Sequence, residues 1–239
     1  MSMKKILIFT GAGVSKESGV DTFRDSDGLW HNFKIEDVAT LDGWRKNKVR
    51  VLDFYNQRRS QMKDVFPNDA HKIIADLEKD YNVTLVTQNV DNLHERAGST
   101  NVIHLHGELS KAKSSFPGSD ETIDWDGDIN IGDKCSKGSQ LRPAVVWFGE
   151  NLNYNLLTKA EKAAEECDIC IIVGTSMQVA PANLLPTLVK DTCKIYYVDP
   201  ADEMVVWSDT YGLNKINYTH IKEPATVGMK KIVDILKNV

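Results

Sequence analysis

Apolar residues along this chain gather in short runs rather than in strict alternation with polar ones. Runs rich in β-branched side chains fall at residues 5–9, 83–87, 102–105, 144–148, 168–173 and 194–198. Near-continuous apolar runs of this length predict parallel strands covered on both faces, because a strand with one wet face would alternate. Helical spacing occupies 70–79, 156–166, 182–189 and 227–236. Strands separated by helices in this way predict an α/β fold built on a doubly wound, parallel, Rossmann-like sheet.

Two stretches interrupt the pattern. Residues from about 27 to 66 read as highly charged helices, 49–62 among them, and 108–141 scatter Gly, Ser, Asp and Lys around Phe116, Ile123, Trp125, Ile129 and Ile131. Both are expected to leave the sheet and form one smaller subdomain inserted into a single domain spanning 1–239. The Rossmann-like core would then comprise about 1–26, 67–107 and 142–239. A ligand belongs in the cleft between the two parts, outside the carboxyl ends of the strands.

Composition narrows the classes of function. A formal net charge of -5 offers no broad attraction to nucleic acid or an anionic membrane, and mildly favours a basic partner such as a lysine-rich protein tail. No apolar run approaches the ~20 residues of a membrane span. The run after Lys4 and Lys5 is only about five residues long and meets Gly11, too short for a secretory leader, so a first strand and a cytoplasmic protein are expected. Disulfides are not expected among Cys135, Cys167, Cys170 and Cys193. Cys167 and Cys170 form a C-x-x-C, but the second pair of a four-cysteine zinc site is missing, and their odd spacing would turn them to opposite faces of a strand. Core positions are the expectation for both.

Chemistry begins where the first strand runs into Gly11, Ala12 and Gly13. Backbone without a Cβ can approach a phosphate closely, and Ser15 is expected to cap a helix whose N–H groups favour an anion. Alone, this turn lacks G-x-G-x-x-G spacing and is equally well a tight turn. Further segments follow in order: GAGVSKESGVDTFRDSDGLW at 11–30, TQNVDNLHERAG at 87–98, IHLHGEL at 103–109, LRPAVVWFGE at 141–150 and VGTSMQVAPA at 173–182. Together they resemble the signature segments of the sirtuin family over nearly the whole chain, and most nearly those of its bacterial class III deacylases.

That resemblance implies an NAD-consuming lysine deacylase. In sirtuins the acyl-lysine carbonyl oxygen attacks the ribose C1′, nicotinamide leaves, and a histidine acts as general base toward the ribose hydroxyls while the acyl group passes to ADP-ribose. The matching base is His106, an imidazole whose reference pKa near 6.5 suits the task. His104, two residues away, has no further ligands nearby in sequence and is read as structural. Gln88, Asn89 and Asp91 are implied to hold the nicotinamide ribose and carboxamide, with Asn89 counted beside His106 as catalytic. Phe23, Arg24 and Trp30 fall in the family's cofactor loop, and Gly174, Thr175 and Ser176 offer donors to ribose and phosphate. Asp199 and Ala225 match the adenosine end, and Phe148, Gly149 and Glu150 match the segment that pairs with an extended substrate peptide.

Tyr55 and Arg58, at i and i+3, share one face of a helix. In sirtuins that remove acidic acyl groups, a tyrosine and an arginine so spaced hold the distal carboxylate, which implies succinyl- or malonyl-lysine as substrates, with acetyl-lysine also accepted. Gly43 is expected to leave room for a long acyl chain. The chain departs from the family where a structural zinc usually sits: residues 110–114 read SKAKS, and Cys135 alone remains of the usual two pairs, so no zinc is expected and Trp125 and Ile131 are expected to form a substitute core. Asp21 and Lys16 replace a common proline and alanine, and Ala180 a frequent tyrosine. Two other readings stand beside deacylation: ADP-ribosyl transfer or NAD hydrolysis, and a non-catalytic sensor of NAD or ADP-ribose.

Overall fold

A computed structural model describes residues 3–20, 29–30, 33–119, 121–202 and 216–238. Its centre is a six-stranded sheet built from β1 (Lys5–Thr10), β4 (Asn82–Thr87), β5 (Val102–His104), β9 (Ile169–Val173), β10 (Lys194–Val198) and β11 (Thr219–Ile221). Every neighbouring pair is parallel, in the order β11-β10-β9-β1-β4-β5. The chain therefore starts in the middle and winds outward in both directions, as the alternation of strand and helix predicts. Leu7, Ile8, Phe9, Ile171 and Ile172 have no exposed surface, because helices cover both faces. One cover is α5 (Asp69–Leu77) with α8 (Ala225–Leu236), and the other is α7 (Tyr154–Glu166) with a 3₁₀ helix at Ala182–Thr187.

Local chemistry sets several of these boundaries. Asn68 caps α5 by accepting from the N–H groups of Ala70 and His71, while the His71 ring accepts from the Asn68 N–H, a reciprocal capping box. The segment expected as a helix over 182–189 is 3₁₀ rather than α, and it contains Pro186, which lacks an N–H and crowds the carbonyl of an α-helical turn. Strand β11 was not anticipated; it is three residues long and polar, too short to carry a pattern. None of the described helices is long and apolar enough to cross a membrane.

A second, antiparallel sheet has the order β7-β6-β8, from β6 (Gly107–Ser114), β7 (Thr122–Asp124) and β8 (Leu141–Val145). This corrects the strand expected over 144–148: the apolar run is a strand at Leu141–Val145, and it pairs with β6 rather than joining the parallel sheet. A fully buried run looks the same in either sheet. Beside it lie α2 (Ile35–Val38), α3 (Leu41–Lys46), α4 (Lys48–Lys63) and a two-stranded ribbon of β2 (Leu29–Trp30) and β3 (Phe33–Lys34), while α1 (Gly13–Lys16) and α6 (Leu93–Ala97) follow strands of the large sheet. Val38, Trp44, Phe54, Leu109, Ile129, Leu141 and Trp147 share one apolar cluster, against which Trp125 packs. Ile131, expected to join Trp125 there, is exposed, and Ile129 takes the buried place.

Helix α4 pins the loop between β7 and β8 through polar contacts. Asn56 exchanges two hydrogen bonds with the backbone of Ile129 (3.0 and 2.9 Å). The Arg59 guanidinium donates to three carbonyls, of Gly127 (2.9 Å), Leu109 and Trp125. One planar fork so ties to α4 three backbone carbonyls that lie 50 to 68 positions from Arg59 in sequence. Arg59→Met is expected to leave these acceptors without a donor and to lower stability by roughly 3 kcal/mol. Urea unfolding and hydrogen exchange check this, with protection lost first across 109–129.

Candidate active site

In an open parallel sheet, a crevice forms where the strand order reverses. Here that point lies between β1 and β9, and the loops leaving them touch. Gly11 N–H donates to the Val173 carbonyl (3.1 Å) and Gly13 N–H to the Gly174 carbonyl (2.8 Å). A Cβ on Gly11 would stand 2.6 Å from the Thr175 Cβ, and one on Gly13 would stand 2.7 Å from the Gly174 Cα. The bareness of these glycines is thus taken up by the neighbouring loop, a tighter demand than the phosphate approach expected of them. Gly174 itself has φ +61.

Ser15 does not cap a helix. It lies inside the single turn α1, fully buried, while Ala12 is the N-cap residue. Its hydroxyl donates to the Asp91 carboxylate (3.1 Å) and accepts from the Asn89 amide (3.1 Å). The Nε2 of His71 lies 3.4 Å away, and because His71 Nδ1 accepts from Asn68, Nε2 carries the proton and donates. One donor and two acceptor sites are all the hydroxyl has, and all are filled. The reading of Ser15 as a cap failed because its partners lie 56 to 76 positions away in sequence.

That hydroxyl fixes the loop after β4. Asn89 N–H bonds Thr87 Oγ1 (3.0 Å), and Leu93 N–H bonds Asp91 Oδ1 (3.1 Å). Burial pushes the Asp91 carboxyl above its ordinary pKa, against the Leu93 and Ser15 bonds that favour the charged form. Gln88 Nε2 donates to Thr175 Oγ1 (3.1 Å), closing the loop onto the one after β9, where Ser176 is half-buried. His94 and His71, which the sequence did not single out, pack behind with tilted rings 4.7 Å apart between centroids. Burial lowers both pKa values, that of His71 to about 4, so both are neutral packing around the network. The Asn68-to-His71 capping spacing was the available signal for His71.

His106 sits on the turn between β5 and β6, just before Gly107, whose φ is +80. Its Nδ1 lies 3.1 Å from the Gln88 carbonyl. A carbonyl only accepts, so Nδ1 carries the proton and Nε2 is the basic atom. Burial lowers the pKa of this imidazole, and the Gln88 carbonyl opposes the shift only in part. His104 differs: it bonds the Asn89 carbonyl (2.9 Å) and the Glu95 carboxylate (2.7 Å). Burial works against its charged form, but Glu95 and Asn89 outweigh that and raise its pKa. His104 thus holds the Asn89 loop from behind, the structural part foreseen for it.

Asp199 follows β10 and Ala225 opens α8, so both lie at the same carboxyl edge of the sheet. The Asp199 carboxylate accepts from the Ala201 N–H (2.9 Å). Phe23 and Arg24, with Asp21, lie outside the described residues, as does the side chain of Trp30. A separate groove of about 810 Å³ opens at the amino ends of the strands, where Lys5 pairs with Glu166 and Lys190 with Asp168. It holds none of the residues above.

Residues 11–181 match the model of the Sir2 family. The chain belongs to that family, the sirtuins. A Helicobacter pylori protein is 50% identical over 198 residues, covering 83% of this chain and 85% of its own. One from Bacteroides thetaiotaomicron is 41% identical over 239 residues, 98% of each chain. Both are named NAD-dependent protein deacylase. Among solved structures, a Sir2 homologue in complex with NAD is similar at a TM-score of 0.83 and 36% identity, covering 99% of this chain and 91% of that one. A Sir2 homologue–ADP-ribose complex gives 0.85 at 36% identity, covering 99% and 93%.

In this sirtuin the residues matched to acyl and peptide binding lie on α4 and just after β8. Tyr55 and Arg58 are both buried on α4. Tyr55 Oη accepts from Trp147 Nε1 (2.9 Å), and Arg58 donates to the neutral Gln61 side chain (3.2 Å). Gly43 does not widen the pocket: its Cβ would collide with the Asp37 carbonyl group, 2.6 Å from the carbon, so the glycine serves the close packing of α3 on α2. Phe148 is half-exposed and its N–H donates to the Ala39 carbonyl (2.9 Å), while Gly149 has φ +86. Glu150 pairs with the buried Arg142, which also lies over the Trp147 ring at 3.9 Å. Arg142 and Trp147 were in view only as letters of a motif; their contacts were not legible there.

The two nearby imidazoles are expected to titrate on opposite sides of the ordinary histidine value. In nitrogen-resolved NMR, His106 should titrate below about 6.5 with Nε2 unprotonated at neutral pH, and His104 above it. The reverse order would contradict the assignment of the basic atom.

Proposed function

We propose that this sirtuin is an NAD-dependent protein-lysine deacylase that prefers succinyl- or malonyl-lysine, also removes acetyl groups, and transfers the acyl group to ADP-ribose with release of nicotinamide. The observation that carries the acidic preference is the burial of Tyr55 and Arg58 on one face of α4. A buried guanidinium next to a buried phenol on one helix face suits a carboxylate. The name shared by the relatives and the NAD and ADP-ribose complexes of similar structures support the use of NAD.

NAD is a substrate here, and the site residues divide its parts among them. Gly11, Ala12, Gly13 and Ser15, with Gly174, Thr175 and Ser176, flank the phosphates at the switch in strand order, and Asp199 and Ala225 the adenosine. Gln88, Asn89 and Asp91 hold the nicotinamide end, and Phe23, Arg24 and Trp30 belong to the loop over it. As the acyl carbonyl oxygen bonds to C1′ and nicotinamide departs, positive charge develops on the ribose, which a dry and preorganised polar site stabilises. His106 Nε2 then takes a proton from a ribose hydroxyl, which attacks the acyl carbon, and water completes release of the acylated ADP-ribose and free lysine. Phe148, Gly149 and Glu150 border the peptide, which pairs by strand addition. A base kept neutral beside the Gln88 loop favours acyl transfer over bare NAD hydrolysis, and the set Gln88, Asn89, Asp91 and His106 is more than a sensor needs.

The smaller sheet is read as free of zinc. Cys135 accepts from the Ser114 hydroxyl (3.1 Å), and the Asn56 and Arg59 contacts tie down the loop that a metal would otherwise organise. Metal analysis of protein purified without chelators is expected to find no stoichiometric zinc; one zinc per chain would overturn this reading.

Substrate choice is tested with acyl versions of one peptide. Tyr55→Phe combined with Arg58→Met should reduce kcat/KM for the succinyl peptide roughly 10²-fold or more relative to that for the acetyl peptide, since two charge-assisted hydrogen bonds are lost. Equal losses on both would refute the carboxylate pocket.

A further inference from the structure

We infer that Trp147 is a positioning residue for acyl specificity, one that holds the Tyr55 hydroxyl as a hydrogen-bond donor toward the distal carboxylate of an acidic acyl group. This rests on the proposed reading of Tyr55 and Arg58 and deepens it. An indole N–H can only donate. The 2.9 Å bond from Trp147 Nε1 therefore makes the Tyr55 oxygen the acceptor. Among the described residues this is the hydroxyl's one hydrogen bond, so its own O–H has no acceptor there. Tyr55 is 1% and Trp147 2% exposed, so bulk water does not supply one. A buried hydroxyl that already accepts a bond while its proton is unmatched is built to meet an acceptor, and the free end of a succinyl or malonyl chain is one. An acetyl methyl is not. Burial also pushes the phenol's pKa up, against the Trp147 N–H and the charges of Arg142 and Arg58, so the proton stays available.

Trp147 is held firmly enough to impose that direction. Arg142 covers its ring at 3.9 Å, and Trp44 packs at 5.6 Å. Glu150 bonds the Trp147 N–H (2.9 Å) through one carboxylate oxygen and Arg142 through the other. The flanking residues are fixed too: Val146 N–H donates to the His106 carbonyl (2.8 Å) and Phe148 N–H to the Ala39 carbonyl (2.9 Å). The strand end that orients the phenol is thus bonded to the backbone of the proposed base.

Steady-state kinetics of Trp147→Phe, Tyr55→Phe and the double variant, with NAD and succinyl or acetyl forms of one peptide, test the inference. Trp147→Phe keeps an aromatic ring and removes the N–H. It should raise KM for the succinyl peptide about 5- to 10-fold relative to the acetyl peptide, the worth of one oriented neutral hydrogen bond. The shift should sit in KM, not kcat. The double variant should be no more selective in its loss than Tyr55→Phe alone, because the indole acts through the phenol. Equal losses on both peptides, or additive losses in the double variant, would overturn the role. If Tyr55→Phe itself leaves the succinyl-to-acetyl ratio unchanged, the carboxylate reading fails; if it lowers the ratio and Trp147→Phe does not, only this inference fails. Should Trp147→Phe fold poorly, the other variant and the native protein decide. One of the five tryptophan indole N–H signals should move in Tyr55→Phe, and in the native protein that signal should respond to the succinyl peptide and not to the acetyl peptide. No movement, or the same response to both, contradicts the role.

Discussion

Backbone meets backbone at the middle of the sheet. The loop after β1 and the loop after β9 approach so closely that Gly13 and Gly174 leave no space for a Cβ on either. The rest of the site hangs from that contact. It sets α1 where Ser15 can reach Asn89 and Asp91, and it brings Thr175 to Gln88. Gln88 in turn supplies the carbonyl that selects the tautomer of His106. A methyl group at the glycine contact would be felt at the imidazole through two hydrogen bonds in series, Gln88 to Thr175 and His106 to Gln88.

The chemistry is arranged by what each polar group has left after its neighbours are satisfied. Ser15 has nothing left, so it is a joint. Among the described residues His106 Nε2 has no partner, so it can take a proton, and the Tyr55 O–H has no acceptor, so it can donate. Burial reinforces each assignment, since it keeps the His106 imidazole neutral and the Tyr55 phenol protonated. The same reasoning separates His106 from His104, which spends both nitrogens on Asn89 and Glu95.

How much of this the sequence disclosed follows from the range of each interaction. Apolar runs at β1 and β9 are local, and they announced a parallel sheet. The run at Leu141–Val145 is just as apolar but belongs to the smaller sheet, a choice made by β6 and invisible in the run itself. The motif segments placed Gln88, Asn89, Asp91 and His106 by resemblance. They did not disclose why those residues hold still. Ser15, Arg59 and Trp147 act on partners 50 to 92 positions away, and for Arg59 the partners are backbone carbonyls, which any residue provides. Gly43 misled for a related reason: a missing side chain shows that space is scarce or needed, and only the packing of α3 on α2 shows which.

Coupling of nicotinamide departure to attack by an acyl-lysine substrate is the claim on which the account stands, and initial rates of nicotinamide release from NAD measure it directly. Release should require an acyl-lysine peptide and be near background without one. Equal release with and without peptide would make the protein an NAD hydrolase, and no release under either condition would leave it a binding protein; both contradict the account.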